Sequence, residues 1–125
     1  MRSTLLIALA ASVAATSANA APADANAHAF YMKARSLMAK GPLAALSGDI
    51  KSMKAQMADA GARVRVQNLA AKMAGAPLYC PPADRKGAGA DFVIDGLAAV
   101  LESRRKQLTL VQAWREILIA RFPCK

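Results

Sequence analysis

The chain is short of aromatics, of histidine and of acid. Its 125 residues hold three Phe, two Tyr, one Trp and one His, and 8 Asp+Glu stand against 17 Lys+Arg. One histidine, His28, and scattered carboxylates do not supply the convergent titratable groups that catalysis requires. There is no Gly-x-Ser-x-Gly elbow, no phosphate-cradling glycine loop and no His-Glu-x-x-His pair. Asp91 and Asp95, four apart, share one face of a helix, an arrangement that marks a solvated face far more often than an acid–base pair. No apolar run reaches the ~20 residues of a membrane span. Seven Gly and six Pro are too few for a collagen-like or disordered chain. These absences exclude most enzyme classes and a membrane-spanning protein, and no motif calls for a cofactor.

What is present favours helix. Hydrophobic residues make up 55% of the chain, with Ala, Leu and Met ahead of Val, Thr and Tyr. The length suits one domain. A segment at the front reads as removable. Met1-Arg2 gives a positive start, an apolar run extends from Leu5 to Ala15, and Ala18-Asn19-Ala20 provides small residues for cleavage before Ala21. Residues 1–20 are therefore expected to be a signal peptide, and 21–125 a single helical domain with a flexible leader at 21–27. The rest of the chain, about 105 residues, can bury roughly 65% of its unfolded surface. No lipidation cysteine follows the cut, so the expected location is the periplasm of a Gram-negative cell or the outside.

Export changes the meaning of the charge. The formal net charge is +9, and cleavage removes only Arg2 from the cations. In a cytosolic protein such an excess suggests nucleic acid. An exported chain rarely meets nucleic acid, so an anionic envelope component (lipid headgroup or cell-wall polymer) or an acidic protein partner is the expected counterpart. The two cysteines, Cys80 and Cys124, read as one disulfide in an oxidising compartment. A metal site lacks ligands and a redox pair lacks Cys-x-x-Cys spacing. The bridge closes a loop of about 45 residues, a constraint worth roughly 4 kcal/mol in the chain-entropy model.

The periodicity lays out an all-α chain of three or four helices. Phe30, Ala34, Leu37 and Met38 follow helical spacing until Gly41-Pro42, with His28 facing solvent at the start. Ser47-Gly48-Asp49 opens a long helix that Gly75 and Pro77 stop. Ile50, Met53, Met57, Ala60, Val64 and Ala71 lie on one face, with Asn68 beside them. Val66, Leu69 and Met73 form a second stripe, and Lys51, Lys54, Arg65 and Lys72 occupy a flank. Some 27 residues give a rod of about 40 Å, longer than a small domain is wide. Either Gly61 bends it or its N-terminal half projects, and Ile50, Met53 and Met57 are then the candidate partner surface. Ile94, Leu97, Ala98 and Leu101 make a further inward stripe, closed by the charged run Glu102–Lys106. Thr109 and Gln112 form a capping box, and Leu110, Trp114, Ile117 and Leu118 point inward from the last helix. No segment alternates with period two for long enough to be a strand. The methionines, at helical spacing, are expected in the core.

The C-terminal half has a further pattern. Tyr79-Cys80-Pro81-Pro82 is followed by a connection, an apolar helix to Leu101, a charged turn, and a second helix ending in Ala120-Arg121-Phe122-Pro123-Cys124. This block resembles the end of the Rap-one-a/Tai immunity domain, with its Cys-x-Pro opening, two helices and closing Phe-Pro-Cys. The likeness covers roughly residues 79–124. Members are small exported helical proteins that protect bacteria from peptidoglycan amidases delivered by type VI secretion. The resemblance implies a non-catalytic inhibitor that occludes a secreted effector enzyme. Residues 21–78 depart from it, carrying a Met-rich helix and no cysteine where members have further cysteines. The alternatives are an envelope protein that uses its basic surface on anionic lipid or cell-wall polymer, and a structural protein that self-associates through the long helix.

Overall fold

The computed structural model describes residues 25–85 and 87–125, so the expected signal peptide lies outside it. The first helix, α1 (Ala27–Ala39), starts where Asn26 supplies a cap. The Asn26 Oδ1 accepts from the backbone N–H groups of His28 and Ala29 at 3.0 and 3.1 Å. Its Nδ2 donates to the Lys106 carbonyl at 2.8 Å. Ala27 N–H donates to the Leu108 carbonyl, and Leu110 N–H to that of Ala25. The end of the expected flexible leader is thus docked, with Ala27 fully buried. Phe30, Ala34 and Leu37 point inward as their spacing predicts, but Met38 does not. Gly41-Pro42 stops the α-helix, and the chain continues as a 3-10 helix, Gly41–Leu46, which the sequence did not announce.

The long helix, α2 (Gly48–Met73), is capped by Ser47, whose Oγ accepts from Asp49 N–H at 3.2 Å. It ends in a Schellman motif. Ala76 N–H donates to the Ala71 carbonyl and Gly75 N–H to that of Lys72. Gly75 adopts φ +91°, a conformation costly for any residue with a Cβ. The helix runs through Gly61 without a break. Its N-terminal half packs on α1, where Lys33 pairs with Asp49 at 2.8 Å. Met53, Ala60 and Val64 are buried, and Ile50 and Met57 are half-buried against the same core. The second stripe corrects the expectation of apolar neighbours on both sides. Val66, Leu69 and Met73 are exposed, as is Met32 on α1. The last helix is the main packing partner of α2, and it leaves this stripe exposed.

Helix α3 (Ala90–Ala99) stops two residues earlier than the apolar stripe suggests. Leu101 therefore leaves the helical register and is 76% exposed. The charged run does not extend α3 but forms its own turn, α4 (Glu102–Arg105), from which Arg105 folds back inward. It is the one buried charged side chain among the described residues. Its Nη1 donates to the Leu97 and Val100 carbonyls, both at 2.7 Å, and its Nε to His28 Nδ1 at 3.2 Å. The guanidinium stands 4.1 Å from the Tyr31 ring centre. The cation thus meets the negative end of α3 from a neighbouring turn. His28, expected to face solvent, is half-buried as its acceptor.

Helix α5 (Leu110–Arg121) opens with both hydrogen bonds of the Thr109–Gln112 capping box. Leu110, Trp114, Ile117 and Leu118 are buried, as their spacing predicts. Cys80 and Cys124 form the expected disulfide, with Cα atoms 5.0 Å apart. Beside it Cys80 N–H donates to the Phe122 carbonyl at 2.8 Å. The fold is all-α, with four helices of ten residues or more linked through two short ones, and no strand among the described residues.

Candidate functional site

On one side of α2 the packing is incomplete. A groove of about 910 Å³ opens between α1, the N-terminal half of α2, α3 and the loop that follows the disulfide. Its volume falls in the upper part of the range of about 300–1,000 Å³ typical of small-ligand sites. The sequence forms it through two adjacent stripes of α2. One, with Ile50, Met53 and Met57, supplies the apolar wall. The other, Lys54, Ala58, Gly61 and Arg65, follows spacings of four, three and four, with cations at its ends and two small residues between them. Small residues in the middle leave the space empty.

The opposite wall depends on Asn68. Its Oδ1 accepts from the N–H groups of Leu78 and Tyr79 at 2.8 and 3.2 Å, and its Nδ2 donates to the Tyr79 carbonyl at 3.0 Å. The loop is thereby fixed to α2, with the Tyr79 side chain buried in the groove wall. The disulfide then holds Pro81 and Pro82 in the same wall. Arg85, farther along the loop, lies 4.2 and 4.6 Å from the ring centres of Phe92 and Phe122. The two rings stack with centroids 6.1 Å apart, and Trp114 meets Phe92 edge-on at 5.8 Å.

The electrostatics are one-sided. Lys54, Arg65 and Arg85 line the groove, and no Asp, Glu, His or free thiol does so among the described residues. Burial pushes the Tyr79 hydroxyl above its ordinary range, and the positive charge of Arg65 partly offsets that. Tyr79 is therefore a neutral donor at neutral pH. Among the described residues the site offers donors, cations and apolar walls. A second, smaller cleft of about 490 Å³ lies between α3 and α5. There Arg104 pairs with Glu116, and Asp95 and Arg121 also line the wall, so the cleft carries charges of both signs.

The structure brings the candidate surface residues together differently from the sequence expectation. Ile50, Met53 and Met57 do not form an uncovered outer stripe. Met53 is buried, and all three line the groove. The outer apolar patch lies instead at Val66, Leu69 and Met73. Sequence reasoning missed Tyr79 and Asn68 as site residues and placed Trp114 foremost in the core, with a binding role at an edge as the alternative. The signal that was there to be used is the stripe Lys54–Ala58–Gly61–Arg65. Comparison with family models, with curated proteins and with solved structures finds no match to this chain.

Proposed function

We propose that this is an exported, non-catalytic binding protein of the bacterial envelope, and that it works by enclosing an apolar ligand in the groove beside α2. The observation that carries this reading is a groove of about 910 Å³ with apolar walls, three cations and no acid among its described lining residues. The disulfide and the signal-like N-terminus support an oxidising compartment. No described helix is long and apolar enough to cross a membrane. The test uses N-phenyl-1-naphthylamine, a neutral dye that brightens in apolar surroundings. The expected result is saturable brightening at one dye per chain, with quenching of the single tryptophan, Trp114. Met57→Lys should abolish uptake while far-ultraviolet circular dichroism is retained. A wild-type protein that takes up no dye sinks the reading.

One observation favours a second reading. The Cys-Pro-Pro and Phe-Pro-Cys motifs that carry the resemblance to the immunity domain are joined by the disulfide. On that reading the protein occludes a secreted peptidoglycan amidase. Adding the mature protein to an amidase assay then lowers the rate stoichiometrically, and unchanged rates across amidases encoded beside the gene exclude it.

A further inference from the structure

Resting on the groove reading, we infer that the ligand is a fatty acid whose carboxylate is held at the Arg65 end. Two side-chain donors belong to residues that line the groove there. Trp114 is 95% buried as a residue but lines the groove, where its Nε1–H is not a sealed atom and donates to no acceptor among the described residues. Nε1 lies 3.9 Å from where a Cβ on Gly61 would stand, so it faces the bare stretch of the groove wall. The Tyr79 hydroxyl, on an equally buried ring, also lacks an acceptor among the described residues. Neither donor atom is sealed from solvent, so an acceptor that enters the groove can reach both. Arg65 stands one turn beyond Gly61 on the same stripe, and its charge is felt at Tyr79. It has no carboxylate partner among the described residues. An indole N–H, a phenol O–H and a guanidinium together suit a carboxylate, which accepts from several donors and neutralises the cation.

The rest of the groove specifies the other end of the ligand. From Arg65 to Ile50 the α2 axis advances about 22 Å. One leaflet of a bilayer, half of the ~30 Å hydrocarbon core, is shorter than that. An acyl chain therefore fits along Met57, Met53, Phe30 and Leu37, all of which line this part. Methionine's flexible thioether adapts to chains of different length and bend. A peptide suits the wall less well, because it brings a donor and an acceptor at every residue and this part offers them few partners. Lys54 lies partway along and gives the carboxylate a competing position, which the experiment resolves.

The experiment is isothermal titration calorimetry of the mature protein, residues 21–125, with sodium octanoate, decanoate and laurate below their micellar concentrations. Dodecyltrimethylammonium serves as the cation of matched chain length. One laurate per chain is expected, tightening about fourfold for each added methylene. Arg65→Gln should weaken laurate about tenfold or more and leave dodecyltrimethylammonium unweakened. Lys54→Gln should change laurate binding less than Arg65→Gln does. Equal affinity for the two head groups overturns the inference, as does a dominant effect of Lys54→Gln. If laurate fails to bind while the neutral dye still enters, the fatty-acid assignment falls and the groove reading stands. If neither enters, both fall. A self-associated protein that excludes laurate also overturns it, by giving the groove to a second copy.

Discussion

Two helical glycines face tryptophan or isoleucine of the same helix, α5, and they do opposite things. Gly96 on α3 lies so close to α5 that a Cβ there would come within 2.7 Å of Ile117 Cγ2. Gly61 on α2 leaves 3.9 Å to the Trp114 indole and nothing else within 4 Å. The absent side chain lets two helices touch in one place and keeps space open in the other. The approach of α3 to α5 at Gly96 is close, although a smaller cleft opens beside it. The groove carries Lys54, Arg65 and Arg85 together with Met53 and Met57. The close approach at Gly96 serves helix packing, and the open space at Gly61 serves the groove.

The largest effect expected from breaking this division is loss of the disulfide, which fixes one wall of the groove. Cys80→Ser with Cys124→Ser should cost about 4 kcal/mol in urea unfolding and weaken dye uptake. Thiol labelling of denatured, unreduced protein should find no reactive thiol, and two per chain would remove the basis of the prediction. Next comes Gly96→Ala. Overpacking against Ile117 should outweigh the roughly 1 kcal/mol gain in helix propensity, for a net loss of about 1–2 kcal/mol. A neutral or stabilised variant would mean that α3 and α5 are not in tight contact.

Gly61→Ala should shift stability the other way. Alanine meets only an ordinary contact there, so unfolding free energy should rise by up to about 1 kcal/mol while dye affinity falls. Equal signs for Gly61→Ala and Gly96→Ala would erase the comparison. The smallest effect concerns the pair that ties α1 to α2. The hydrogen bond and charge of Lys33 hold the Asp49 carboxyl below its ordinary range. A lowered folded-state value means that the contribution is present above the unfolded pKa and lost as pH falls through the folded one. Asp49→Asn should therefore flatten the acid limb of the stability profile below about pH 4. The difference should shrink in high salt, because the pair is solvent-exposed. An unchanged acid limb would show that the pair adds nothing.

Much of the architecture was legible because it is local. The Ser47 and Thr109 caps, the Gly75 stop, the inward set on α5 and all of that on α1 but Met38 depend on residues three or four apart, and each is found where the spacing places it. The misplaced residues share one cause. Leu101, Val66, Leu69 and Met73 are as apolar as core residues, and spacing alone does not say whether a neighbour arrives. Arg105 fails in the other direction. A cation in a charged run reads as solvated, yet the turn at α4 carries it onto the open carbonyls of α3.

The sequence by itself determined helix, helix ends and the two cysteines available for pairing. Each of these follows from local backbone preferences or from the chemistry of a single residue type. Only the tertiary structure decided which apolar stripes are covered, that Tyr79 is buried in the wall by Asn68, and that Trp114 faces empty space across Gly61. Those contacts join residues 10 to 53 positions apart in the chain, so no periodicity encodes them. The groove is a consequence of how far apart the helices come to rest, and that distance is set by packing across the whole core.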